Sequence, residues 1–137
     1  MSTPYEDFRL FPLRVAFLKE RDAFLVEIDG LGCVRGEPAA VAHDLKPYYD
    51  SDIAAGLAPE NHQYVRSSEM AAKRRHVSHN TVYQQVNRCR RELARFYTAI
   101  MQKPPPKDLL IENIRHKGYR LDPLVRIVRR DQLRARG

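Results

Sequence analysis

One stretch limits the fold more than any other. Val82, Val86, Cys89, Leu93 and Phe96 recur at spacings of 4, 3, 4 and 3, and the run Pro104-Pro105-Pro106 follows them. Such spacing places five apolar side chains on one face of a long α-helix. Three successive prolines cannot lie inside a helix and act as a stiff spacer. A helix is therefore expected over residues 79–101, capped near Ser78 or Asn80. A single apolar stripe must be covered by other elements, so the rest of the chain has to supply a small core around it.

The flanking segments read accordingly. LRVAFL (13–18) and AFLVEI (23–28) are β-prone runs separated by KERD, and Asp29-Gly30 turns the chain into LGCVRG, a candidate third strand. A small antiparallel sheet is expected over 13–35, after an arm at 1–12. Residues 37–57 read as a helix with Pro38 in its first turn. Ala39, Ala42, Leu45, Ile53 and Leu57 form its stripe, and Pro47 is expected to kink or split it near Lys46. A short helix over SEMAAKRR follows, with Ser67 or Ser68 as its cap and Met70 facing inward. In IENIRHKGYRL (111–121), apolar and polar residues alternate around a basic tip and a glycine, the pattern of a hairpin. Residues 122–137 are expected to end in a last amphipathic helix, LVRIVRRDQLRAR.

Charge is divided unevenly. Residues 1–65 hold 6 Lys/Arg and 11 Asp/Glu, a net of −5, whereas residues 66–137 hold 18 and 6, a net of +12. From Lys73 to Arg95 there are seven Lys/Arg and one acid, Glu92. A helix that is merely solvated mixes its signs for i,i+4 pairing. A one-signed face suits a polyanion. No run approaches the roughly 20 apolar residues of a membrane span, and the acidic start MSTPYEDFRLF lacks the features of a signal peptide. An intracellular protein is expected. Cys33 and Cys89 are far apart and read as free thiols, with Cys89 a small core residue. His76 and His79 lack further ligands for a metal, so no metal or other cofactor is expected. Tyr48-Tyr49 with Asp50 and Asp52 reads as a helix end with exposed acids. No catalytic set or phosphate loop is present, so an enzyme is the least supported class.

A short helix, a tight turn and a long helix make the helix-turn-helix order. Off the apolar stripe, the long helix carries Asn80, Thr81, Gln84, Gln85, Asn87, Arg88, Arg90 and Arg91. Arginine pairs with guanine, Asn and Gln with adenine, and Thr with phosphate or a thymine methyl. Here TVYQQVNRCRREL (81–93) resembles the recognition helix of OmpR/PhoB-type winged helix-turn-helix domains, whose usual pattern is T-V-x-x-H-I-x-R-L-R-x-K-L. LIENIRHKGYRL (110–121) is similar to that family's wing, I-x-T-V-R-G-x-G-Y-R-L. The matched motifs cover 25 residues, in the family's order.

The resemblance implies an α+β winged helix-turn-helix fold, with an N-terminal sheet, a three-helix core over 37–101 and a wing over 109–121. It implies that the long helix lies in the major groove of duplex DNA. Asn80, Thr81, Gln85, Asn87, Arg88 and Arg90 match positions that touch bases or phosphates. Arg115 would enter the minor groove beside Lys117. Gly118 would shape the turn and Tyr119 would anchor the wing. It further implies a transcription regulator of the bacterial cytoplasm, on the nucleoid, acting as a homodimer on DNA, with RNA polymerase or another regulator as a further partner. The sequence departs from the pattern where Cys89 replaces Leu, Gln85 replaces His, and His116 replaces the Gly after Arg115. Residues 1–12 are too few for a phosphoacceptor domain, so phosphorylation-driven dimerisation is not implied. Two other readings compete: a winged-helix protein-interaction module, recruiting a basic partner through the acidic half, and a nonspecific architectural DNA-binding protein. Double-stranded RNA suits the charge alone, because a helix cannot read its deep, narrow major groove.

Overall fold

The computed structural model describes residues 11–74 and 77–133. Strand β1 (Arg14–Glu20) pairs antiparallel with β2 (Ala23–Ile28), from Val15 opposite Ile28 to Glu20 opposite Ala23. Only Arg21 and Asp22 connect them, so Lys19 and Glu20 of the KERD segment belong to the strand. Arg21 takes the positive φ of 55° that two-residue hairpin turns demand. Strand β3 (Gly32–Arg35) continues the sheet beyond β2, with Val34 opposite Val26. Val15, Val26, Ile28 and Val34 share one face of the sheet, and all are buried.

The second edge of the sheet holds a surprise. The segment expected as a terminal helix supplies β6 (Arg126–Ile127), which runs parallel to β1 in a sheet of order β3-β2-β1-β6. Arg126 N donates to Leu13 O (2.8 Å) and Val128 N to Val15 O (2.9 Å). The physical reason lies in Val125-Arg126-Ile127, which alternates buried, exposed and half-buried side chains. That period of two fits an open strand edge, whose unpaired backbone groups offer more than an isolated helix of this length. A single 3₁₀ turn, Arg130–Gln132, follows.

Helix α1 (Glu37–Ala54) covers the sheet with Pro38, Ala39, Ala40, Val41, Ala42 and Leu45. Pro47 lies inside it and does not divide it. Pro47 is exposed, so the one helix hydrogen bond it forfeits is on the solvent side, and the ion pair Lys46–Asp50 (2.7 Å) spans the position. The expected stripe fails at its far end, where Ile53 (51% exposed) and Leu57 (41%) face outward. Asp52 is buried there instead. Its carboxylate accepts from Gln63 N (2.9 Å) and Gln63 Nε2 (3.0 Å), which fastens the loop after α1.

Helix α2 (Ser67–Ala72) buries Met70. Neither Ser67 nor Ser68 caps it: Arg66 holds the cap position without a side-chain bond. Helix α3 (His79–Met101) is the long one, and Ser78 Oγ accepts from Thr81 N (3.1 Å) at its start. Gln102, at φ 55°, ends it ahead of the prolines. Its buried stripe is Val82, Val86, Cys89, Leu93, Tyr97 and Met101. Phe96, expected in that stripe, is half-buried and lies over Gly32, where a Cβ would come within 3.0 Å of its ring.

The C-terminal hairpin is β4 (Ile111–Ile114) with β5 (Gly118–Leu121), from Ile111 opposite Leu121 to Ile114 opposite Gly118. Val65, just before α2, bridges to the hairpin: Val65 N donates to Tyr119 O (2.7 Å) and Tyr119 N to Val65 O (2.8 Å). One apolar cluster joins the sheet, all three helices and the hairpin, from Val15 and Leu45 through Met70 and Leu93 to Ile111 and Leu121. The described residues are thus an α+β unit with a small sheet, three α-helices and a C-terminal hairpin. Among them, no helix is long and apolar enough to cross a membrane.

Candidate nucleic-acid interface

Burying one stripe of α3 dictates what lies opposite. Asn80, Gln84, Arg88, Arg91 and Arg95 are exposed at helical spacing, with Tyr83 (50% exposed) beside them. Thr81 and Asn87 are half-buried on the flanks. Thr81 is further tied to the cap, its hydroxyl 3.0 Å from Ser78 Oγ. Arg88, Arg91 and Arg95 have no ion-pair partner among the described residues, so their charge is presented to solvent.

Two residues expected on this face are engaged elsewhere. Gln85 Oε1 accepts from Arg74 Nη1 (2.6 Å), and its Nε2 donates to Glu37 Oε2 (3.1 Å). Arg74 in turn pairs with Asp44 and lies 3.9 Å from Glu37. This set of polar groups locks the end of α2 and the start of α1 to one side of α3. Burial pushes the Asp44 carboxyl above its ordinary range, against the pull of Arg74. On the opposite flank, Arg90 pairs with Asp108 (2.9 Å) and donates to Lys107 O (3.2 Å), fixing α3 to the segment after the prolines. Gln85 and Arg90 therefore orient α3 and do not stand free on its exposed face.

The hairpin brings the second group of cations. Arg115, His116 and Lys117 form its tip and all are exposed. Lys117 N donates to Ile114 O (3.0 Å), and His116 adopts a φ of 72° inside that turn. A non-glycine residue in the left-handed region carries strain; here the closed turn holds it. Lys117 Nζ lies 5.7 Å over the Tyr64 ring.

Between the hairpin and the start of α2 lies an open cleft of about 390 Å³. Arg66, Ser67, Ser68 and His79 line one wall, and Arg115 to Lys117 line the other. Arg66 Nη2 reaches the His116 carbonyl at 3.5 Å. No Asp or Glu lines this cleft. The fold therefore brings the first residue of α3 and the hairpin tip, more than 30 residues apart in the chain, to the walls of one acid-free depression. Arg66, Tyr83 and Arg95 join the surface although the sequence reading gave them no role there, as do Ser68, read as a helix cap, and His79, weighed only as a metal ligand or a structural or phosphate-facing residue. For Arg95, the exposed spacing that runs through Arg88 and Arg91 was the available signal.

Much of the remaining basic charge is answered within the fold. Lys73 Nζ contacts Tyr48 Oη and lies 4.2 Å over its ring. Arg130 pairs with Glu20 (3.0 Å) and Glu27 (3.1 Å), so part of the basic tail neutralises the acidic sheet. At the end of α1, Tyr48 donates to Glu69, Asp50 pairs with Lys46, and the buried Asp52 holds Gln63, so of the two acids expected to be exposed there only Asp50 is. Neither cysteine is in a disulfide, and burial pushes the Cys89 thiol up to about 12. His76 lies outside the described residues, and among those described no group of three His, Cys, Asp or Glu side chains is placed to hold a metal ion. No protein-family model, no curated protein and no solved structure matches this chain.

Proposed function

We propose that this chain is a winged helix-turn-helix domain of the OmpR/PhoB kind that binds duplex DNA and regulates transcription. The observation that carries the reading is the acid-free cleft that sets the first residue of α3, His79, against the hairpin tip, together with the exposed Asn80, Gln84, Arg88 and Arg91 of the same helix. In this reading α3 lies in the major groove. Gln84, Asn87, Arg88 and Arg91 face base edges and flanking phosphates, and Asn80 with Thr81 meets the backbone at the helix start. Arg115 enters the neighbouring minor groove, where a narrow groove attracts a cation. Lys117, Arg66 and His79 meet the phosphates between the two grooves. Most of the affinity comes from phosphate contacts and is salt-dependent. One domain of this size makes a small interface, so specific binding uses two copies on repeated half-sites.

A second reading rests on a different surface. Ile53 and Leu57 are exposed at the end of α1, near the exposed acids Asp50 and Glu60. That combination suits a basic protein partner, such as a polymerase subunit or another regulator, and is compatible with DNA bound on the other surface. The test of the first reading is fluorescence anisotropy of the purified protein with labelled duplexes. Arg88→Ala and Arg115→Ala are each expected to weaken binding roughly 10-fold, the scale of one charge-assisted contact, with unchanged circular dichroism. Equal affinity of both variants and the parent would sink it.

A further inference from the structure

The Arg120 side chain is only 12% exposed and stands on the side of the hairpin away from the cleft. Its Nε donates to Glu112 Oε2 at 2.6 Å, directly across the hairpin ladder. Its Nη1 donates to two loop carbonyls, Pro59 O at 3.0 Å and His62 O at 2.9 Å. The guanidinium carbon lies 4.3 Å over the Tyr64 ring, the same ring that Lys117 of the tip overlies. The loop so gripped is itself held to α1 by Asp52 through Gln63. One planar cation thus connects both strands of the hairpin to the loop, and through the loop to the core. Lysine lacks the fork of donors that this arrangement uses.

We infer that Arg120 is a positioning residue that sets the direction in which the hairpin presents Arg115. The inference rests on the proposed DNA-binding reading and deepens it. A two-stranded hairpin is marginal by itself. The Val65–Tyr119 bridge ties the outer edge of β5 to the segment before α2, and Arg120 adds a second attachment, from its side chain to the loop leading into Val65, against rotation about that bridge. Without Arg120, the hairpin keeps its ladder and its bridge but loses its fixed angle to α3. Arg115 is then delivered to the minor groove only at a cost in ordering.

The test is a double-mutant cycle measured by anisotropy on one duplex, using the parent, Arg115→Ala, Arg120→Met and the double variant. Arg120→Met is expected to weaken binding roughly fivefold and to add little to Arg115→Ala, because both remove the same delivered contact. With Arg88→Ala, carried by α3, its loss is expected to add in full. A merely destabilising effect would add equally to both partners. Glu112→Gln, which keeps side-chain size and removes one grip, is expected to show a smaller loss with the same pattern, and it carries the test if Arg120→Met fails to fold. Loss by Arg115→Ala together with full additivity of Arg120→Met overturns the inference alone. Parent-like binding by Arg115→Ala overturns it together with the minor-groove reading beneath it.

Discussion

A Cβ at Gly118 would come within 2.3 Å of the Val65 carbonyl oxygen, and the backbone there has a φ of +117°. Gly118→Ala therefore meets both a clash with backbone and a conformation that side chains rarely adopt. It is expected to cost roughly 2–4 kcal/mol, read as a drop in the urea midpoint. Cys89 presents a different case. Its thiol, pushed up to about 12 by burial, stays protonated and enclosed. At pH 8 a thiol reagent is expected to leave Cys89 unmodified until denaturant is added, as peptide mass mapping would read. Asp122 carries a pH signature. Burial raises its carboxyl above the ordinary 3.8. The folded chain then holds that proton more tightly than the unfolded chain, so this group costs stability as pH rises through its folded pKa. Asp122→Asn keeps an oxygen for Leu124 N (2.9 Å) and removes the charge. The variant is expected to melt at or above the parent at pH 7 and to lose that advantage below 3.8. Residue by residue, the sequence revealed Asn80, Gln84, Arg88 and Arg91 as exposed because the 3.6-residue period alone places them opposite the core. It concealed the engagement of Gln85 and Arg90, whose partners Glu37 and Asp108 lie 48 and 18 positions away. No local pattern encodes such pairs.

At the scale of elements, α3 and the hairpin were readable because each carries its own period and its own stop signals. One element was read in part, α1 being expected as a helix but broken at Pro47, and one was misread. α1 tolerates Pro47 because the surrounding packing outweighs one lost helix bond, a tertiary effect invisible to propensity. The tail became β6 because an edge of β1 was there to receive it, and an edge has no sequence signature of its own. Val128→Pro removes the donor to Val15 O (2.9 Å). It is expected to destabilise the fold by about 1–3 kcal/mol while leaving affinity for duplex DNA near that of the parent, since β6 stands apart from the proposed interface. Thermal melts and anisotropy on the same samples check both halves of that expectation.

Across the whole molecule, the division between an acidic first half of −5 and a basic second half of +12 does not become two separate poles. Arg74 and Arg130 cross it to meet Asp44, Glu20 and Glu27. Among the described residues, Arg88, Arg91 and Arg95 on α3 have no ion-pair partner and Arg115 and Lys117 stand exposed at the hairpin tip, and these cations are the reason to propose a polyanion as the partner. The measurement that tests the proposal most directly is selection of the purified protein against a pool of random duplex DNA, followed by sequencing, at low and near-physiological salt. The expected result is an enriched motif, repeated at about 10–11 base pairs if two copies bind, with affinity falling steeply as salt rises. Absence of binding at both salt concentrations would contradict it, and salt-sensitive binding without an enriched motif would remove sequence-specific regulation in favour of a DNA-coating role.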